Sequence, residues 1–147
     1  MTRRQAREHL FIMLFRKEFH KKEELLEQVD LYFESSKDLG EDDLEAYEKE
    51  LKGFRDKDIE ELRSKFSKIL EKLDEIDETI SSISTGWNLN RMGKVDLTVM
   101  RIAVYEIKFD ETIPDVVSVN EAVEIAKKFG EETSGSFVNG VLAKLLN

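Results

Sequence analysis

Apolar residues recur along most of this chain at spacings of three and four, the repeat expected of α-helices that bury one face. Ala6, Leu10, Met13 and Leu14 form the first such stripe, on a helix that Thr2 can cap and that runs to about Phe19. Leu25, Leu26, Val29, Tyr32 and Phe33 predict a second helix from Glu23 to about Glu34. Residues 35–55 are acidic and weakly patterned, although Leu44, Tyr47 and Leu51 support a short helix. From Asp56 the positions Ile59, Leu62, Phe66, Ile69, Leu70 and Leu73 repeat, and Ile76, Ile80 and Ile83 continue the series. That run is too long for one uncapped helix in a small domain, so a break is expected near Asp74.

Gly86 to Gly93 read as a loop around Trp87. The segment that follows, Val95–Phe109, is apolar on nearly every side, and such a helix must be surrounded by others. It is expected to be the hub of the fold. After a break at Pro114, Ser118-x-x-Glu121 has the form of a capping box, and the helix behind it should end with Gly130 at the C′ position. A last helix over about Ser136–Leu146 would turn Phe137, Val138, Val141, Leu142 and Leu145 inward. With one proline, seven glycines and no period-2 alternation beyond Val116–Val119, the expected fold class is all-α.

The chain has 147 residues, 40% hydrophobic, enough for one core without metals or disulfides. It has no cysteine, which removes thiolate zinc sites and cysteine nucleophiles and makes a reducing, cytoplasmic setting the default. The apolar run Leu10–Phe15 is too short for a secretory core, and no stretch approaches the ~18 residues needed to span a bilayer. The net charge of −9 is unevenly spread. Residues 1–22 carry seven Lys or Arg against two Glu, whereas residues 23–80 carry nine basic and twenty-one acidic residues. A basic N-terminus on an acidic body points to a local anionic ligand, or simply to a solvated helix face.

Enzyme signatures are missing. The glycines fit neither a dinucleotide-binding turn nor a phosphate loop, and no G-x-S-x-G occurs. The two histidines, His9 and His20, are ~16 Å apart along a helix, too far to share a metal, and read as surface residues. Neither catalysis nor a cofactor is expected.

Several blocks, in order, carry a resemblance. They are Arg3-Arg4-Gln5-Ala6-Arg7-Glu8 ahead of an apolar helix, Trp87-Asn88-Leu89-Asn90-Arg91, Val95 to Ile107, Ile113-Pro114, Asn120 to Gly130, and Phe137-Val138-Asn139-Gly140-Val141-Leu142. Together they resemble the NusB family of bacterial transcription antitermination factors, most closely over residues 87–142, less over 3–15 and hardly over 20–60. The resemblance implies a single RNA-binding domain over residues 1–147, of about seven helices in two small packed bundles, here about 1–73 and 74–147. It implies binding of the boxA element of ribosomal RNA leader transcripts together with NusE, a small-subunit ribosomal protein, and entry into the elongating RNA polymerase complex.

The same residues carry physical readings. Arg3, Arg4 and Arg7 fall on the first turns of a helix, where positions 3 and 7 share a face and two guanidinium forks could grip successive phosphates. Lys127, Lys128 and Phe129 close a helix beside Gly130. There the ring could stack on an unpaired base while the lysines meet phosphates, or Phe129 could be the last core residue of its helix. Phe15 and Asp96 match the positions through which the family meets NusE. Burial is the alternative for Phe15, and capping of the hub helix is the alternative for Asp96. Arg101 and Glu106, polar positions in an apolar helix, need partners among their neighbours or at Glu121. Gly140 is expected to let a neighbouring helix approach.

Two other classes compete. One is a homodimeric helical interaction scaffold without sequence-specific RNA recognition, since family members can self-associate. The other is the accessory domain of an RNA cytosine methyltransferase, whose catalytic part needs cysteines that this chain lacks.

Overall fold

The computed structural model describes residues 1–16 and 55–146, and every described element is helical. The second and third expected helices, the reach of the first helix to Phe19 and the position of His20 lie outside the described residues. Six α-helices are described: α1 (Arg3–Phe15), α2 (Asp56–Glu71), α3 (Leu73–Ile83), α4 (Lys94–Phe109), α5 (Asp115–Phe129) and α6 (Ser134–Leu142). Short 3-10 turns occupy Leu89–Arg91 and Ala143–Leu145. The chain forms two compact units, Met1–Leu70 and Glu71–Asn147.

In the first unit, α1 starts with a reciprocal capping box. The Thr2 hydroxyl accepts from the Gln5 backbone N–H at 3.0 Å, and the Thr2 N–H donates to Gln5 Oε1 at 2.8 Å. From His9 to Leu14 every side chain of α1 is buried. On α2 the stripe Leu62, Phe66, Ile69 and Leu70 is buried, as its spacing predicts.

His9 corrects the expectation of a surface histidine, being fully buried among the apolar side chains of α1. Burial pushes its pKa down from 6.5 to about 4, with the Glu8 carboxylate opposing the shift. The ring is therefore neutral at physiological pH.

In the second unit, α4 is the hub that the sequence predicts, packing against α3, α5 and α6. Ten consecutive residues, Leu97–Glu106, are buried. The cation among them, Arg101, reaches across to α3, where its Nε and Nη2 donate to the two carboxylate oxygens of Asp77 at 2.8 and 2.9 Å. This two-pronged pairing fixes the register of α3 on α4 as well as neutralising a buried charge.

The boundaries differ from expectation in ways that have physical causes. The break before α3 falls at Lys72 rather than Asp74, and Ile76 N–H bonds to Lys72 C=O at 2.9 Å. Asp74 and Glu75 thereby enter the first turn of α3, where the helix dipole favours negative charge. Helix α5 starts three residues before the expected capping box, with Pro114 as its N-cap and Pro114 C=O accepting from Val117 and Ser118 N–H. Ser118 is consequently inside the helix, buried, with its hydroxyl unbonded.

Gly130 ends α5 as its C-cap, with φ −96° rather than the left-handed conformation of a C′ glycine. What requires glycine there is close approach: a Cβ would stand 2.6 Å from Ala126 C=O and 2.5 Å from Ser134 Oγ. The role expected of Gly140 belongs to Gly135, whose Cβ would fall 2.9 Å from the Lys127 stem, while Gly140 is exposed with nothing within 4 Å. The final helix starts at Ser134 and tightens into a 3-10 turn after Leu142; Phe137 and Leu145, expected in the core, are half-buried.

Candidate nucleic-acid interface

The expected basic contacts fall in two places, one in each unit. On α1, Arg3 and Arg4 are exposed and occupy the first two helical positions after the Thr2 cap. No acidic residue stands in that first turn. Two guanidinium groups therefore crowd the positive end of the helix dipole, an arrangement that costs helix stability and that an arriving anion would relieve. Gln5, which interrupts the arginine run, holds the turn rather than contributing to its charge.

Arg7 is placed differently from its two neighbours, at 5% exposure. A pair of forks from Arg3 and Arg7 therefore does not describe this surface, and the adjacent Arg3 and Arg4 carry its outward charge. The signal was present in the sequence. Arg7 lies three residues before Leu10 and seven before Leu14, which puts it on the buried stripe.

At the far end of α5 the same sign of charge has the opposite relation to its helix. Lys127 and Lys128 are exposed in the last turn, where the dipole is negative. Lys127 pairs loosely with Glu124 at 3.7 Å, and its stem lies over Gly135. Lys128 Nζ stands 5.4 Å from the centre of the Phe129 ring, a cation–π contact. Phe129 is half-buried, between the two alternatives its spacing allowed.

Phe15 closes α1, half-buried, its ring stacked on Phe11 with centroids 5.7 Å apart. Asp96 is the third residue of α4, half-buried beside Gly93, which is the N-cap residue and makes no side-chain cap bond. One aromatic feature was not anticipated. Trp87, in the loop before α4, is 52% exposed and meets Phe137 of α6 edge-on, ring centroids 5.3 Å apart.

Among the described residues no group of His, Asp and Glu could hold a metal ion, and no helix is long and apolar enough to cross a membrane. What the surface does offer is two sets of exposed cations at helix ends, one of them joined to an aromatic ring, on an acidic chain. That is the equipment of a binding module for an anionic polymer.

Comparison with known proteins gives this all-helical module its place. The NusB family model matches residues 4–147. The transcription antitermination protein NusB of Lachnoclostridium phytofermentans is 51% identical over 147 residues, covering all of both chains. That of Agathobacter rectalis is 49% identical over 144 residues, 98% of each chain. Among solved structures, NusB of T. maritima superposes with a TM-score of 0.73 at 36% identity, covering 99% of this chain and 90% of the other. The chain belongs to the NusB family of transcription antitermination proteins.

Proposed function

We propose that this chain binds the boxA element of ribosomal RNA leader transcripts together with NusE and joins the elongating RNA polymerase in the cytoplasm, helping it pass terminators. It acts by binding, without catalysis or a cofactor. The observation that carries this reading is the pair Arg3–Arg4, exposed at the positive pole of α1 in a chain of net charge −9. Cations placed where they weaken their own helix are best accounted for by a ligand that needs them, and a phosphate backbone is such a ligand.

In this reading Arg3 and Arg4 meet phosphates, and Arg7 supports them from beneath. Lys127 and Lys128 meet further phosphates, with the Phe129 edge available to a base. Phe15 and Asp96 meet NusE, the carboxylate facing a basic ribosomal protein. The experiment is a gel shift with boxA RNA and a scrambled RNA, each with and without NusE. Preferential retardation of boxA, strengthened by NusE, is the expected result. Equal binding of the two RNAs in the presence of NusE would overturn sequence-specific recognition.

A second reading, a homodimeric scaffold, is favoured by one feature. Pro114, Val116 and Val117 are exposed together on the first turn of α5. Sedimentation at several concentrations with and without RNA separates the two: a dimer that RNA dissociates supports regulated RNA binding, and a dimer indifferent to RNA supports the scaffold.

A further inference from the structure

All 32 Asp and Glu residues of the chain fall outside two stretches, residues 79–95 and 133–147. The fold brings these stretches together. The ring contact of Trp87 with Phe137 joins them, and Lys144 Nζ donates to Ile83 C=O at 2.8 Å and lies 3.4 Å from Thr85 Oγ1. The charged side chains they carry are Arg91, Lys94 and Lys144, all positive. In a strongly acidic protein this brings two stretches without Asp or Glu side chains together at an exposed indole, with the Asp96 carboxylate at their margin beside Gly93.

We propose that Trp87, held edge-on by Phe137, is a stacking platform for an unpaired base of single-stranded RNA. It uses none of the residues at the basic ends of α1 and α5. Trp87 is half exposed, although tryptophan is a costly residue to leave in water, and the Phe137 ring meets it from one side. Exposed hydrogen-bonding side chains adjoin the pair along the chain, Asn88 next to Trp87 and Ser136 next to Phe137, suited to base edges and sugars. Gly140, one turn after Phe137 on the same side of α6, leaves the helix surface bare for a close approach. An apolar protein partner would not need the exclusion of carboxylates, whereas a polyanion would.

The inference rests on the RNA-binding function proposed above, and its test keeps the two distinguishable. Trp87 is the single tryptophan of the chain, so its emission reports on this site alone. The full chain is titrated with a fluorescein-labelled single-stranded RNA carrying boxA, following label anisotropy and, with unlabelled RNA, tryptophan emission. The expected result is binding accompanied by quenching of Trp87. Trp87→Ala should weaken binding about 5- to 100-fold, and Trp87→Phe should recover much of the loss. Asn88→Asp adds one carboxylate to the face while keeping an oxygen for the Asn90 N–H that Asn88 now accepts at 2.9 Å. It should weaken binding several-fold at low salt and little at high salt.

Circular dichroism and thermal melting establish that each variant is folded. Should Trp87→Ala not fold, the emission of the wild type and the affinity of Asn88→Asp decide. Anisotropy that rises while Trp87 emission stays constant, or while folded Trp87→Ala binds as tightly as wild type, overturns this inference and leaves RNA binding standing. No rise in anisotropy with the wild type overturns both.

Discussion

The two basic helix ends carry the same charge in opposite circumstances. Arg3 and Arg4 sit at the start of α1, where the dipole is positive and no carboxylate stands in the turn, so the helix tolerates them at a cost. Lys127 and Lys128 sit in the last turn of α5, where the dipole welcomes them and Glu124 and the Phe129 ring engage them. Charge that stabilises its own helix needs no other explanation. Charge set against its own helix dipole is not explained in that way, and the difference supports the proposal that the α1 end meets an anionic ligand.

Acidification separates the two units most strongly. His9, on α1, is neutral and buried with its pKa lowered from 6.5 to about 4, whereas residues 71–147 contain no histidine. The unfolded chain takes up the proton first as pH falls below about 6.5. Stability is therefore intact above that pH and declines until about pH 4, by on the order of 3 kcal/mol at most. Denaturant melts between pH 7 and 4 should show this loss, and His9→Leu should remove most of it.

The end of α5 can be broken sterically. Gly130→Ala would press a methyl against Ala126 C=O and Ser134, both part of the close turn into α6, and should cost about 2 kcal/mol. Gly140→Ala, in open space on α6, should instead raise stability by about 0.5–1 kcal/mol, measured by the same melts.

Charge removal sharpens the comparison further. The double variant Lys127→Ala, Lys128→Ala should lose about 0.5–1 kcal/mol of stability. Arg3→Ala with Arg4→Ala should be neutral or slightly stabilising, by a few tenths of a kcal/mol, in the same chemical denaturation. If both pairs destabilise alike, the distinction between the helix ends fails.

Much of the helical framework is legible in the sequence because it is a matter of period. The hub helix is legible since a segment apolar on all sides has nowhere else to go, and the break before α3 is missed by only two residues. What the period does not reveal is tertiary. Asp77 becomes the partner of Arg101 across 24 residues, and nothing local marks it. The glycines that matter for close packing are Gly130 and Gly135, since their neighbours arrive from elsewhere in the fold, while Gly140 faces open space. His9 was misread from residue type, although its place among Ala6, Leu10 and Met13 marks it as inward. The cationic site is legible in composition, and only burial separates Arg7 from Arg3 and Arg4.

The pairing of Trp87 with Phe137 shows the same limit. Each residue belongs to a recognisable block, yet the two stretches without Asp or Glu lie side by side only once the loop before α4 meets α6.

The salt dependence of RNA binding tests the central claim most directly. With boxA RNA and NusE present, log K against log salt is compared for the wild type and the Arg3→Ala, Arg4→Ala double variant. Loss of two phosphate contacts on a single strand should make the slope shallower by about 1.4. Parallel lines for the two proteins would remove the α1 arginines from the RNA interface.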